Sequence, residues 1–280
     1  MCPQPQPPLD VECDQMPKQI RSVTRALSVI EALSDACSAL SLNQLHQITA
    51  LDRATLLRIL ATLMESGWVY RSLGDQNYRL SYQIYELGTH VRPQNSLAHL
   101  AAPVMDELQK TLIWPSDLSI CNGSRMEIIE TTRRQSPLFS NHGFVGYQPN
   151  MLQSAAGRAY LAWSHPDDQA SILRRLQQGE DTEARLACDD EWVQTMLKAT
   201  RERGYGARDP LYKGGPDDSD HYEVCASAVP ILAMDEVQAC INLIWLEAFV
   251  SPEQLENELL PELRQAASQI AELILEHKLY

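Results

Sequence analysis

The chain has 280 residues, 44% of them hydrophobic, and a formal net charge of −14. This length indicates two domains of roughly 100–200 residues each, and the acidic charge argues against non-specific binding of nucleic acid by the whole chain. No apolar run reaches the roughly 18 residues of a membrane span. The seven cysteines are widely spaced and form no CxxC or Cys/His cluster, so neither a disulfide framework nor a zinc site is predicted.

Charge is distributed unevenly along the chain. Residues 20–92 contain seven Arg or Lys and six Asp or Glu, so the acidic excess lies mainly in the C-terminal part. A near-neutral small domain can approach DNA while an acidic remainder stays away from it. Residues 1–19 are rich in proline and have neither the positive start nor the apolar stretch of a signal peptide. We therefore expect a disordered tail there and a cytoplasmic protein.

Three helices are predicted after this tail. Ser22–Asp35 is predicted as a helix because apolar residues recur there at helical spacing: Val23, Ala26, Leu27, Ile30 and Leu33. A second helix opens at the sequence Ser-Leu-Asn-Gln, residues 41–44, which has the form of a capping box. Asp52 can cap a third helix.

A β-hairpin is predicted next. Trp68–Tyr70 and Tyr78–Leu80 are short β-like runs on either side of a polar tip. The order helix, helix, turn, helix, hairpin is typical of a winged helix-turn-helix, here over residues 20–81. Arginines suit guanine edges or phosphates in a DNA groove, and small or apolar residues permit close approach. The outward positions of the third helix include Arg53, Thr55, Leu57 and Arg58.

The rest of the chain predicts a second domain of different character. Residues 82–113 are expected to form linker helices, and residues 114–280 a mixture of strands and helices. Asn122-Gly123 is a strong hairpin signal. Val224–Ile231 and Val237–Leu246 are long apolar runs that suit central strands. This pattern indicates an α+β domain of the kind that senses a ligand.

Known catalytic motifs are missing from the sequence. Ser154 lies in no G-x-S-x-G elbow, no Walker A or GxGxxG segment occurs, and the seven histidines lack metal-binding spacing. We therefore predict no enzyme, no cofactor and no metal. Two alternatives stay open: a hydrolase, which would turn over its ligand, and a winged helix that binds only proteins. The second would lack the steep salt dependence of phosphate contacts.

Several short motifs occur in the order known from one family. They are Arg21-Ser-Val-x-Arg-Ala-Leu27, Leu51-x-Arg-x-Thr-x-x-Arg-x-Leu60, Ser154-Ala-Ala-Gly-Arg-Ala-x-Leu-Ala162, Gly204-Tyr-Gly206 and Ala228-Val-Pro230. Together they resemble the isocitrate lyase regulator (IclR) family over about residues 20–275. The resemblance implies a winged helix-turn-helix and a GAF-like effector domain with a central antiparallel sheet. It also implies dimers through the N-terminal domains and often tetramers through the effector domains.

Three segments resemble one subgroup of this family. Trp114–Asp117, Glu130–Ser136 and Cys240–Leu243 are similar to activators of aromatic-acid catabolism, such as the hydroxyphenylpropionate regulator. This likeness implies a regulator of a catabolic operon that binds a pseudo-palindromic double-stranded DNA operator. A small carboxylate, here an aromatic acid, would control it, and an activator would also contact RNA polymerase.

The resemblance also maps functional residues onto this sequence. The recognition helix falls on Asp52–Ser66, so that Arg53, Thr55 and Arg58 would face the operator, with Arg71 and Arg79 near phosphates beside the wing. One departure is Ala54, where the family often has serine or threonine.

The implied effector contacts lie at a helix start and on a strand. Ser154, Ala155 and Ala156 match a segment whose backbone N–H groups face the ligand, and a helix N-terminus attracts a carboxylate. Asn242 matches a position that is often a polar residue facing the ligand. Ala226 and Ile244 replace residues that are commonly polar, which favours an aromatic acid over glyoxylate.

Further candidates come from loops and strand ends. Arg133 and Arg134 follow a predicted strand, so at most one points inward; we favour Arg134 as a clamp for a carboxylate, with an exposed salt bridge as the alternative. His142 is a candidate ligand contact in a loop. The family's acidic ligand residue could match Asp217 or Asp218.

Overall fold

The computed structural model of the chain describes residues 18–36, 38–136, 144–214 and 224–279. The chain divides into two units, Met1–Val91 and Arg92–Tyr280. Among the described helices, none combines the length and apolar character needed to span a bilayer.

The first unit is a helix-turn-helix followed by a two-stranded wing. Its antiparallel strands pair residues 69–71 with residues 78–80. In chain order, its elements are α1 (Arg21–Asp35), α2 (Leu42–Thr49), α3 (Arg53–Glu65), β1 (Val69–Arg71), β2 (Tyr78–Leu80) and α4 (Tyr82–Thr89). The order predicted from the sequence is therefore confirmed.

Local capping fixes the two helices of the turn. The Ser41 side chain accepts a hydrogen bond from the backbone N–H of Gln44, and the Gln44 side chain accepts one from Ser41 N–H at 2.9 Å. Asp52 accepts a hydrogen bond from Thr55 N–H at 2.9 Å. Ala50 lies between the helices in the left-handed region, at φ 53°. These caps satisfy N–H groups that a helix start leaves without intrahelical partners.

The core of the first unit contains only some of the apolar residues that recur at helical spacing. Leu45, Leu56 and Leu60 are fully buried. Val23 and Leu27 of α1 are each 52% exposed. They are exposed because this end of α1 faces a cleft rather than packed side chains.

The second unit is built on a five-stranded antiparallel sheet with strand order β4-β3-β7-β6-β5. The strands are β3 (Ser116–Asn122), β4 (Arg125–Thr131), β5 (Gly206–Ala207), β6 (Val224–Ala233) and β7 (Glu236–Leu246). Gly123 turns the β3–β4 hairpin at φ 70°, in the left-handed region that glycine tolerates. The predicted antiparallel sheet is confirmed, with β7 as its central strand.

Helices cover both faces of this sheet. Side chains of α5 (Pro93–Leu112) and α11 (Leu260–His277) share one core with Ile241 and Leu243 of β7. The opposite core contains Cys240 of the same strand. The helices on that second face are α6 (Ala155–Trp163), α7 (Pro166–Leu176), α8 (Thr182–Ala187) and α9 (Asp190–Arg203). A short α10 (Pro252–Gln254) and a π-helical turn, Leu255–Leu259, lead into α11.

Helix α5 packs as part of the second unit, although the sequence places residues 82–113 in linker helices. Ala101 and Met105 are fully buried in the core that α11 shares. Pro103 lies inside α5 without ending it. Helix α4, by contrast, has no buried residue.

Candidate DNA-binding surface and ligand cavity

The exposed face of α3 carries the residues that the sequence assigns to DNA. Arg53, Leu57 and Arg58 are exposed, and Thr55 is half-buried. Arg53 Nη2 donates a hydrogen bond to Asn43 Oδ1 of α2 at 2.8 Å, which holds the guanidinium at the start of the helix. An exposed helix face with two arginines and an apolar side chain can read base edges in a major groove.

The wing carries two more predicted arginines, and they differ in charge environment. Arg71 is exposed, and its Nε donates a hydrogen bond to the Gln76 carbonyl at 2.8 Å. Arg79 donates from Nη1 and Nη2 to the two carboxylate oxygens of Asp75, at 2.9 and 2.6 Å. These bonds, with a third from Asn77 N–H, hold the pKa of Asp75 well below its usual range.

A cleft of about 630 Å³ lies between α1 and α3 in the first unit. Arg25, Thr55 and Arg58 line it as well as apolar side chains. The apolar lining consists of Val23, Ala26, Leu27, Ile30, Ile59, Leu63 and Trp68. Thr55 and Arg58 therefore lie at the edge of the cleft, where it meets the exposed face of α3.

A second, smaller cavity lies in the second unit, between the sheet and the start of α6. Its volume is about 50 Å³. Its polar lining residues are Asp117, Arg133, Tyr147, Ser154, Arg208, Tyr212 and Asn242. Its other lining residues are Ile128, Phe144, Pro149, Ala155, Ala156, Gly214, Val224, Ala226 and Ile244.

The start of α6 presents free backbone donors to this cavity. Ser154 caps the helix: its Oγ accepts a hydrogen bond from Gly157 N–H at 3.0 Å and donates one to the Asn150 carbonyl at 2.5 Å. The N–H groups of Ala155 and Ala156 belong to the first turn and have no intrahelical acceptor. Such a helix start favours a negatively charged group.

Asn242 contributes a polar side chain to the cavity wall. Its side chain is only 6% exposed, and it lines the cavity from β7, opposite Asp117 of β3. Within the described part of the chain, its amide has no hydrogen-bond partner. The amide is accessible from the cavity rather than sealed among other side chains, so a ligand bound there could form hydrogen bonds with it.

An ion pair closes one side of the cavity. Arg133 donates from Nε and Nη2 to the two oxygens of Asp117 at 3.1 and 3.0 Å, and Thr131 Oγ1 donates to Asp117 at 2.7 Å. The Arg133 guanidinium also stacks on the Phe144 ring, 3.6 Å from its centre. The carboxylate of Asp117 therefore already accepts three hydrogen bonds.

Of the two adjacent arginines, Arg133 lines the cavity, whereas the sequence favours Arg134. Arg134 is exposed and does not line the cavity. The strand alternation used for the prediction does not apply here, because β4 ends at Thr131 and Arg133–Gln135 form a 3₁₀ turn.

Two tyrosines form the opposite wall. Tyr212 Oη accepts a hydrogen bond from Asn150 N–H at 3.0 Å, and the hydroxyls of Tyr147 and Tyr212 lie 3.4 Å apart. Arg208 packs over the Tyr212 ring, 4.7 Å from its centre, and donates to the Gly214 carbonyl. A phenol that accepts from the backbone still has its own proton to donate.

The segment before α6 is held in place by buried charges. Arg158 donates to the carbonyls of Leu152 and Ala207 at 2.8 and 3.0 Å, and to the carboxylate of Asp209 at 2.5 Å. Glu183 accepts a hydrogen bond from Leu152 N–H at 2.8 Å, and burial raises the pKa of Glu183. These contacts fix this part of the cavity wall to β5, through Ala207, and to α8, through Glu183.

The structure brings together only part of the predicted effector site. Ser154, Ala155, Ala156 and Asn242 all line one cavity, together with Ala226 and Ile244. His142, Asp217 and Asp218 lie outside the described residues. Among the residues that are described, no group of three or more His, Cys, Asp or Glu is arranged to hold a metal ion.

Sequence reasoning did not select Asp117, Tyr147 or Tyr212 as cavity residues. One usable signal existed for Asp117, which lies in an otherwise uncharged strand, because a charge in a buried strand requires a partner. The tyrosines lie in loops, where periodicity carries no information about direction.

Comparisons with known proteins agree with this two-part arrangement. A sequence model of the IclR helix-turn-helix domain matches residues 22–72, and a model of the bacterial transcriptional regulator IclR C-terminal domain matches residues 90–272. The HTH-type transcriptional regulator XynR of Escherichia coli (strain K12) is 25% identical over 241 residues, covering 85% of this chain and 91% of that protein. The Pca regulon regulatory protein of Pseudomonas putida is 25% identical over 252 residues, covering 90% of this chain and 83% of that protein.

A solved structure matches the fold. The crystal structure of an IclR family transcriptional regulator from Brucella abortus aligns with a TM-score of 0.52 at 19% identity, covering 91% of this chain and 93% of that chain. At this identity the likeness concerns the fold alone.

Proposed function

Because this chain belongs to the IclR family of DNA-binding transcription regulators, we propose that a small aromatic carboxylate, bound in the cavity beside α6, controls its binding to an operator. The family consists of regulators rather than enzymes. The effector would be returned unchanged, and its binding energy would shift the equilibrium between two states of the regulator.

The observation that carries this proposal is the unpartnered amide of Asn242. The cavity also offers the free N–H groups of Ala155 and Ala156 and a phenolic proton from the pair Tyr147 and Tyr212. Among the described lining residues, the carboxylate is that of Asp117, which already accepts hydrogen bonds from Thr131 and Arg133. The hydrogen-bonding groups that remain available to a ligand are thus mainly donors. They suit a ligand rich in hydrogen-bond acceptors, as a carboxylate is.

The rest of the lining supports an aromatic body for this ligand. Ile128, Phe144, Ala226 and Ile244 offer apolar surface. Ligand sites typically combine such surface with a few well-placed polar groups. Glyoxylate would leave this apolar surface without a partner.

Binding of such an acid requires the cavity to open. Its volume of about 50 Å³ is far below the roughly 300–1,000 Å³ of typical ligand sites. Displacement of the stacked side chains of Arg133 and Phe144, which both line the cavity, would enlarge it. A site that opens on binding gives the ligand different affinities for two states, which is the requirement for control.

The DNA side of the proposal uses α3 and the wing. Arg53, Thr55, Leu57 and Arg58 would face the major groove, with Arg71 and Arg79 beside phosphates. A homodimer, or a tetramer made of two dimers, would place two recognition helices on the half-sites of a pseudo-palindrome. The cleft between α1 and α3 exposes Val23 and Leu27 and supports a contact between two copies there.

The effector part is tested with Asn242→Ala. Thermal unfolding of the wild type is expected to shift upward with benzoate, 4-hydroxybenzoate or phenylpropionates, because a ligand at 100 times its Kd stabilises by about 2.7 kcal/mol. Asn242→Ala is expected to weaken that binding about 10- to 100-fold, since a hydrogen bond to a charged group contributes about 1.5–3 kcal/mol. The ligand-free variant is expected to unfold at nearly the wild-type temperature, because it loses an amide that has no partner.

Two comparisons decide the result. Asn95→Ala, at an exposed position of α5, should leave acid binding unchanged. A shift with glyoxylate or pyruvate but with no aromatic acid would make the aromatic assignment wrong and leave the cavity in place. No shift with any acid would overturn the carboxylate proposal while leaving DNA binding untouched.

The DNA part is tested with Arg58→Ala on an operator selected from a random DNA pool. We expect a loss of about 1–3 kcal/mol in binding free energy if Arg58 contacts a base edge, read by fluorescence anisotropy. Arg174→Ala, at an exposed position of α7, is the matched control. Unchanged affinity in Arg58→Ala would remove Arg58 from the recognition surface.

A further inference from the structure

We infer that Asp75 restrains the binding of DNA by the wing, because it neutralises Arg79. The inference rests on the proposed contact between the wing and DNA. It concerns an acid on a DNA-binding element, where a negative charge repels phosphates.

The geometry of the pair is that of a bidentate clamp. Both carboxylate oxygens of Asp75 accept hydrogen bonds from Arg79, at 2.9 and 2.6 Å, and Asp75 Oδ1 also accepts Asn77 N–H at 3.0 Å. The side chains of Asp75 and Arg79 are 43% and 33% exposed, respectively. Arg79 is therefore within reach of DNA, with two of its N–H groups engaged by the carboxylate.

The charge balance of the wing follows from this pair. Between Val69 and Leu80, the charged residues are Arg71, Asp75 and Arg79. The wing therefore carries one net positive charge, rather than the two that it would carry without Asp75. Each phosphate neutralised by a protein cation releases counterions, and this release supplies essentially all of non-specific binding. A wing with one masked cation therefore binds random DNA more weakly than a wing with two free cations.

The same restraint applies at an operator. A phosphate contact carries no sequence information, so neutralising Arg79 weakens operator binding by a factor similar to that for random DNA. The ratio of the two affinities is then set by the contacts of α3 with base edges.

Asp75→Asn tests the inference in the full-length protein. Asparagine keeps an oxygen that can accept Asn77 N–H but loses the negative charge. With a 30-base-pair duplex of random sequence as the probe, we expect binding about three- to tenfold tighter at 0.1 M salt. The plot of log affinity against log salt should steepen by about 0.9, the value for one added phosphate contact. Affinity for the selected operator should rise by a similar factor.

Controls separate this effect from a general loss of negative charge. Glu31→Gln, at an exposed position of α1, should leave the salt slope unchanged. In the Arg79→Ala background, Asp75→Asn should give no increase in affinity for random DNA. A gain that persists without Arg79, or an unchanged or weaker affinity in Asp75→Asn, would overturn the inference. Failure of the wild type to bind any selected operator would instead refute the proposed DNA contacts.

Discussion

Replacing Asp117 with alanine is expected to lower the free energy of unfolding of the second unit by about 3–5 kcal/mol. Removing one partner of a buried ion pair leaves the other charge buried without its counter-charge. The side chains of Arg133 and Asp117 are only 10% and 3% exposed, and two hydrogen bonds join them. Differential scanning calorimetry of the full-length protein measures the loss as a fall in the Tm at which the second unit unfolds.

Two variants separate the ion pair from the position itself. Asp167→Ala removes an acid that is 94% exposed and should change stability by less than about 1 kcal/mol. Asp117→Leu combined with Arg133→Met should recover most of the loss, since apolar replacement of both partners of a buried pair is often neutral or stabilising. A loss below about 1 kcal/mol in Asp117→Ala would mean that the pair is solvated.

The first unit is predictable because its signals are local. The capping box at Ser41 and the cap at Asp52 each depend on residues three apart, and both form as the sequence indicates. The wing follows from two short runs around a polar tip. The restraint on Arg79 depends on Asp75, four residues away, but composition does not reveal that the hairpin brings these side chains together.

The second unit is predictable in its elements but less in their packing. The hairpin at Gly123 and the central strand β7 follow from short-range patterns. Helix α5 is equally visible as a helix, yet its contact with α11, more than 140 residues away in the chain, is not encoded in local periodicity. The boundary between linker and domain therefore required tertiary contacts.

In the candidate cavity, too, local patterns predicted some side chains, whereas others depended on the exact ends of the elements. The start of α6 and the polar position Asn242 could be predicted, because each follows from motifs shared with a family. The choice between Arg133 and Arg134 depended on where a strand ends and a 3₁₀ turn begins, a difference of one or two residues. Element boundaries are the least reliable part of any sequence-based prediction.

Gly206→Ala is expected to displace α6 and so abolish the response to the effector while operator binding persists. A Cβ at this position would overlap the carbonyl oxygen of Ala155 and lie 2.6 Å from the backbone nitrogen of Ala159. Because both atoms belong to the helix backbone, no rotamer change can relieve the overlap. The helix start that offers its N–H groups to the cavity must then move away from β5. Overpacking of this kind costs about 1–3 kcal/mol.

Two substitutions make the cause distinguishable. Gly88→Ala in α4 meets open space and should be neutral or slightly stabilising, because alanine is the better helix former. Ala159→Gly in the Gly206→Ala background should not restore acid binding, since it removes a side chain while the overlapping backbone atoms remain. Restoration would show that the contact is between side chains. Normal acid binding in Gly206→Ala would instead mean that the position of α6 is not what prepares the cavity for its ligand.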